Sequence, residues 1–238
     1  MTDTINLQPD PTTQTGVVFA ERLAESARYA LLRRLAPAIR HDMAGALQPI
    51  SMVAVLLEKR LQKPVLDMVV IGKNVHDINT LAREASSACM QLMSWLAPKQ
   101  DAPVVIHEGV QEAIALVATE LSFQGITLVD DTAGVDATLP VSVLRGLFMA
   151  SLLALTDTHP GPAAVVLSAA LEGGHTLLTL TLTAATTATA TADGDSDESM
   201  AAPAAYRALD WDDVRALAAV GSAGLVLGSG RVELRFPG

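Results

Sequence analysis

The stretch RHDMAGALQPI, residues 40–50, sets His41 beside Asp42 and follows them with Ala44, Gly45 and Ala46. A neutral imidazole is a good nucleophile toward phosphorus near neutral pH. A carboxylate in the next position can accept a hydrogen bond from the far ring nitrogen. That bond fixes the tautomer and stabilises the positive charge that develops on the ring as the new bond forms. His41 is therefore the candidate nucleophile and Asp42 its orienting base. A His–Asp pair is also ordinary solvated helix surface, so the elements that hold it must decide between the two.

Leu31, Leu35, Ile39, Met43, Ala46, Ile50, Ala54, Leu57 and Leu61 recur at steps of three and four, the mark of one apolar helix stripe. His41 falls about 200° from the stripe at about 100° per residue. Arg34, His41 and Gln48, seven apart, share that outer strip, with Pro37, Ala38, Ala44 and Gly45 around the imidazole. All four are small or compact, so another protein can approach closely. Met52 and Val55 lie further along the same face, and exposed apolar residues beside a reactive group suggest a docking patch. Arg40 is placed to help neutralise an incoming phosphoryl group. Pro37 and Pro49 are expected to bend this helix without ending it, because the stripe continues across both.

After a turn at QKP (62–64), a second stripe runs through Val65, Val69, Val75, Ile78, Leu81, Ala85, Ala88, Leu92 and Leu96, and stops at Pro98. Two long helices with a short loop make an antiparallel hairpin. One hairpin buries little alone, so pairing two copies into a four-helix bundle predicts a homodimer. Residues 1–17 read as a disordered leader, 18–98 as the hairpin, and 98–103 as a linker. From 99 to 238 the pattern turns to α/β. Strands are expected at 104–106, 126–131, 163–171 and 175–184, with a final hairpin of GLVLG and RVELRFP. Helices are expected at 108–122, 141–156 and 211–220, and residues 185–205 are low-complexity. The fold class is α+β: a helical hairpin followed by an α/β sandwich with helices on one sheet face.

Other candidates carry less. His76-Asp77 repeats the pair among ordinary surface residues. His107, His159 and His175 sit at element boundaries and make no metal-ligand spacing with each other or with Cys89. Asp130-Asp131 and Asp212-Asp213 read as loop and helix-start acids. GSAGLVLGSG (221–230) lacks the spacing and the Gly-Lys-Ser/Thr of a phosphate loop.

The formal net charge is −10 and the pI about 4.8, which disfavours nucleic acid as a partner. Residues 20–63 run against that balance, with eight Arg and Lys against four acids, a local docking surface for an acidic partner. A single cysteine permits no disulfide within the chain, which fits a reducing compartment. The N-terminus has no signal-peptide core, and no apolar run reaches the roughly 18–20 residues that span a membrane. A cytoplasmic protein with no membrane partner is expected.

Arg40-His41-Asp42-Met43 with Leu47 and Ile50 resembles the H-box of the dimerisation and histidine-phosphotransfer hairpin of two-component histidine kinases. The order of elements from about 20 to 238 is similar to such a hairpin followed by a kinase ATP-binding domain. The resemblance implies that His41 is a phosphoacceptor. It also implies an Asn that helps hold magnesium and ATP on the helix at 141–157, where Ala154 aligns, with Ala150 one turn earlier. Neither side chain can ligate a metal. The Asp-x-Gly-x-Gly that should close the next strand is missing from LLTLTLTAATTA, and DGDSDES (193–199) lies in the low-complexity stretch. A degenerate ATP-binding domain with a retained H-box is similar to the dimeric histidine phosphotransferases. That implies response-regulator receiver domains as partners and no cofactor of the chain's own, since the receiver supplies Mg²⁺. The positions four and five after His41, where phosphatase-competent kinases carry Thr, Asn or Gln, are Gly45 and Ala46, so phosphatase activity is not expected. The alternatives are a non-catalytic pseudokinase or scaffold dimer and, more remotely, a kinase with a diverged nucleotide site.

Overall fold

The structure, a computed structural model, describes residues 11–96, 101–184 and 207–237. It divides into two compact units: residues up to Arg34 together with Ala102–Gly238, and Leu35–Asp101. Helix α1 (Pro11–Leu61) belongs to both, and α2 (Met68–Leu96) completes the second. α1 opens on a proline, which suits a first helical turn because its missing N–H has no intrahelical partner there. Residues 11–17, expected in a disordered leader, are thus helical, and residues 1–10 lie outside the described residues. The expected hairpin boundary also moves. The helix up to Arg34 clusters with the sandwich, where Ala24, Ala27, Ala30 and Leu31 are buried.

In the second unit, α1 and α2 form the expected hairpin. Ile39, Ala85 and Trp95 are buried, and Arg60 donates to Asn74 Oδ1 across the pair at 2.8 Å. The expected stripes were wider than what the hairpin covers. On α1, Ala54 and Leu61 are exposed. On the second helix Val69 and Val75 are exposed, and Val65 is exposed in the turn before it. A helix with one neighbour can bury only the side-chain rows facing it, and the rest of an apolar stripe stays uncovered.

The other unit holds β1 (Pro103–Val105), α3 (Ile106–Phe123), β2 (Ile126–Asp131) and β3 (Thr138–Pro140). A π-helical segment (Val143–Phe148) then leads into α4 (Met149–Asp157), followed by β4 (Ala163–Glu172), β5 (His175–Ala184), α5 (Trp211–Val220), β6 (Gly224–Gly228) and β7 (Arg231–Pro237). β1 pairs only with β3, a short strand that was not expected from the sequence. The main sheet runs β2-β4-β5-β7-β6, with β2 parallel to β4 and every other pair antiparallel. The β4–β5 hairpin turns on Gly173 and Gly174, both at positive φ, which a two-residue turn matched to strand twist requires.

Alternation sorts the sheet into two faces. Val165, Leu167, Leu178, Leu180, Val232, Leu234 and Phe236 are buried on one face, where α3 meets β2, α4 meets β5 and β7, and α5 meets β6. The other face carries Thr127, Val129, Val166, Ser168 and Thr181 and is more open. α4 is buried along Met149–Thr156, so its apolar residues continue all the way round. α5 begins in a capping box: the Asp210 side chain accepts from the Asp213 amide and Asp213 from the Asp210 amide. Asp213 is buried and also receives both terminal nitrogens of Arg207. Burial alone would raise the Asp213 carboxyl, but Arg207 and the Asp210 amide together outweigh it and hold it below the usual carboxylate range.

Candidate functional site

His41 lies on α1 with its side chain 74% exposed, and its Nδ1 is 3.4 Å from Asp42 Oδ1. That separation is longer than a well-formed hydrogen bond, so Asp42 is near enough to orient the ring without locking it. Ala44, Gly45 and Gln48 are exposed beside it, as are Met52 and Val55 further along. A Cβ built on Gly45 would meet nothing within 4 Å. Arg40 is exposed too, about 100° round the helix from the imidazole.

Arg34 leaves this group. Its Nε and Nη2 fork onto Asp157 at 2.8 Å each, and its Nη1 reaches Glu120 at 2.6 Å. Heptad spacing put Arg34 above His41, but both carboxylates belong to the sandwich unit, which claims α1 up to this residue. Glu120 sits in the last turn of α3 and Asp157 ends α4. Negative charge is unfavourable at both places, where the helix dipoles already point their negative ends. The guanidinium neutralises both acids, and the Asp157 hydrogen bonds raise its own pKa above the ordinary arginine range. Arg34→Met is expected to cost about 2 kcal/mol, discounted because all three side chains keep some exposure. The check is the urea midpoint at low salt, where Arg34→Met should fall below wild type by an amount that shrinks as salt is added.

The hairpin leaves one further apolar surface. Leu47, Ala54 and Leu61 form an exposed heptad row on α1. Met68 and Val75 are exposed and Ala82 and Cys89 half-buried in a second row on α2. Each row lies one residue beyond an inward-facing one, Ala46/Val53/Arg60 on α1 and Asn74/Leu81/Ala88 on α2. The step is the same rotation about each axis, but the helices run antiparallel with opposed inner faces. Both rows therefore come out on one side of the hairpin. His41 is roughly 130° from the α1 row.

The chemistry of an ATP and magnesium site does not fit the residues at the aligned positions. Ala150 and Ala154 are both 0% exposed, enclosed by core. A cavity of about 350 Å³ opens where α4, α5 and the β6–β7 hairpin meet. Its described lining offers Thr158, His159, Trp211 and Arg231 but no carboxylate or carboxamide. The acidic DGDSDES segment lies outside the described residues.

One constellation escaped the sequence reading. His107, in the first turn of α3, has Nδ1 3.2 Å from Asp130 Oδ2 and 3.1 Å from Thr132 Oγ1. Gln111, one turn on, donates to the same Asp130 oxygen. The Thr132 amide and hydroxyl donate to the other oxygen at 2.9 and 2.6 Å. Burial alone would raise the Asp130 carboxyl, but these donors outweigh it and hold it below the usual range. Nothing local in the sequence joins residues 107 and 130. They meet because α3 packs over β2, and Asp130 lies on the face of that strand turned to the helix. His76 is exposed on α2.

Among the described residues no three His, Cys, Asp or Glu side chains group as metal ligands. No described helix is long and apolar enough to cross a membrane. No family model matches the chain, and no curated protein matches it significantly. Among solved structures, the catalytic domain of histidine kinase ThkA is similar at 8% identity, over 58% of this chain and 95% of its own, with a TM-score of 0.43. The Acinetobacter baumannii histidine kinase AdeS is similar at 11% identity over 79% and 96%, with a TM-score of 0.42. A histidine kinase from Burkholderia phymatum is similar at 15% identity over 85% and 96%, with a TM-score of 0.39. At these scores the likeness carries no argument about activity, and the α+β fold class rests on the hairpin and sheet described above.

Proposed function

We propose that this protein is a histidine phosphotransfer protein that relays phosphoryl groups to and from receiver-domain aspartates through His41, without binding ATP, as a cytoplasmic homodimer. The observation that carries the reading is the outward imidazole of His41 with Asp42 at its Nδ1 and open space over Gly45. A receiver's acidic pocket can close on such a surface, and the basic character of residues 20–63 favours the encounter. His41 Nε2 attacks the phosphorus of the aspartyl phosphate, the P–O bond to the carboxylate breaks, and the aspartate leaves. Asp42 faces Nδ1 and its charge offsets the positive charge that the ring carries. Met52 and Val55 supply apolar contact, Gln48 flanks the site, and Arg40 helps neutralise the transferred group. Receiver-bound Mg²⁺ serves the reaction, so the chain needs no metal of its own.

A scaffold dimer without chemistry is the second reading, favoured by the length and exposure of the His41–Asp42 pair. Transfer of label from ³²P-phosphorylated receivers to wild type and to His41→Ala separates them. The relay reading expects label on wild type and at least a hundredfold less on the variant. Absence of label on wild type from every receiver tried leaves the scaffold.

A further inference from the structure

We propose that His107 is a second phosphoryl-accepting imidazole, built into the sandwich unit and independent of His41. The Thr132 hydroxyl has one proton, and it goes to Asp130 Oδ1 at 2.6 Å. Toward the imidazole both neighbours therefore present only lone pairs. Nδ1 makes a favourable contact with them only as an N–H donor, at 3.2 and 3.1 Å. That fixes the tautomer and leaves the Nε2 lone pair bare. The Asp130 side chain is 8% exposed while His107 is 41% exposed, so the buried part of the network lies behind Nδ1 and the imidazole is its outlet. The pair at His41 has neither the burial of its acid nor the additional donors.

The chemistry follows from that arrangement. Nε2 attacks the phosphorus of a donor with a good leaving group, an acyl phosphate or a phosphoramidate. An N–P bond forms, and the bond from phosphorus to the leaving carboxylate or amine breaks. The ring keeps its Nδ1 proton, and the positive charge it gains faces the ionised Asp130. His107 lies in the first turn of α3, an 18-residue helix whose dipole favours negative charge at that end, although Glu108 in the same turn opposes it. Asp130, Thr132 and Gln111 are positioning residues in this step.

The probe is phosphoramidate, applied to the full-length protein and read at each histidine by mass spectrometry, with ³¹P NMR to separate Nε2 from Nδ1 products. His107 is expected to label on Nε2 alone and roughly tenfold or more faster than exposed His76, which serves as internal reference. Asp130→Asn is expected to bring its rate down toward His76 and to let Nδ1 product appear, with Asp130→Glu restoring part of the rate. The comparison within wild type needs no variant to fold. Labelling of His107 no faster than His76, or on both nitrogens, overturns the proposal, as does a rate that Asp130→Asn leaves unchanged in a folded protein. His41 is scored in the same digest, so failure of the relay reading and failure of this one are told apart.

Discussion

Ala54→Glu is expected to dissociate the proposed homodimer while leaving each chain folded. Ala54 is the middle residue of the exposed row Leu47/Ala54/Leu61, so a longer polar side chain meets no wall within its own hairpin. Glu is also a strong helix former. In a symmetric dimer that pairs these rows, two carboxylates would be buried about the two-fold axis. An unpaired buried charge costs several kcal/mol, enough to raise the dissociation constant by about 10³ or more. Sedimentation equilibrium at micromolar concentration reads the result. Gln48→Glu, on the His41 side of the same helix, should stay dimeric, which separates a specific interface from a general charge effect. A dimeric Ala54→Glu, or a monomeric wild type, would end the bundle argument.

The hairpin was legible because periodicity survives where a helix must be covered. What periodicity could not separate was the row that α2 covers from the row it leaves bare. Leu57 and Leu61 look alike in sequence, yet the first is half-buried and the second exposed. The strands were legible for a similar reason. Alternation in β4 and β5 and the Gly173-Gly174 turn are local signals, and the structure follows them almost residue for residue. The ion pairs of Arg34 and the hydrogen bonds of His107 were not legible because their partners are distant in sequence. Arg34 is 86 and 123 residues from its two acids, and only the packing of helix ends brings them together. β3 was missed for want of length: three residues, the last a proline, carry no period.

Ala154→Asn is expected to be the most destabilising of these substitutions and to gain nothing in nucleotide binding. The position aligns by resemblance with a metal-holding asparagine, so the change looks like a repair. The structure gives it the opposite sign. Ala154 is 0% exposed on a helix buried all along Met149–Thr156. A carboxamide there adds volume to a filled core and brings polar atoms without partners in reach. Overpacking costs about 1–3 kcal/mol and an unsatisfied buried amide about as much again. For a chain of this size that lowers the melting temperature by about 10 °C. ATP with Mg²⁺ is expected to move the melting temperature of neither protein, because a ligand stabilises only what it binds. A rise of several degrees in wild type would show a nucleotide site and overturn the reading without ATP. A rise confined to Ala154→Asn would mean that α4 turns its 154 position toward a nucleotide, against the burial described here. If both stay flat, the relay proposed for His41 needs a phosphoryl donor other than ATP, and the open face around Gly45 leaves room for one to approach.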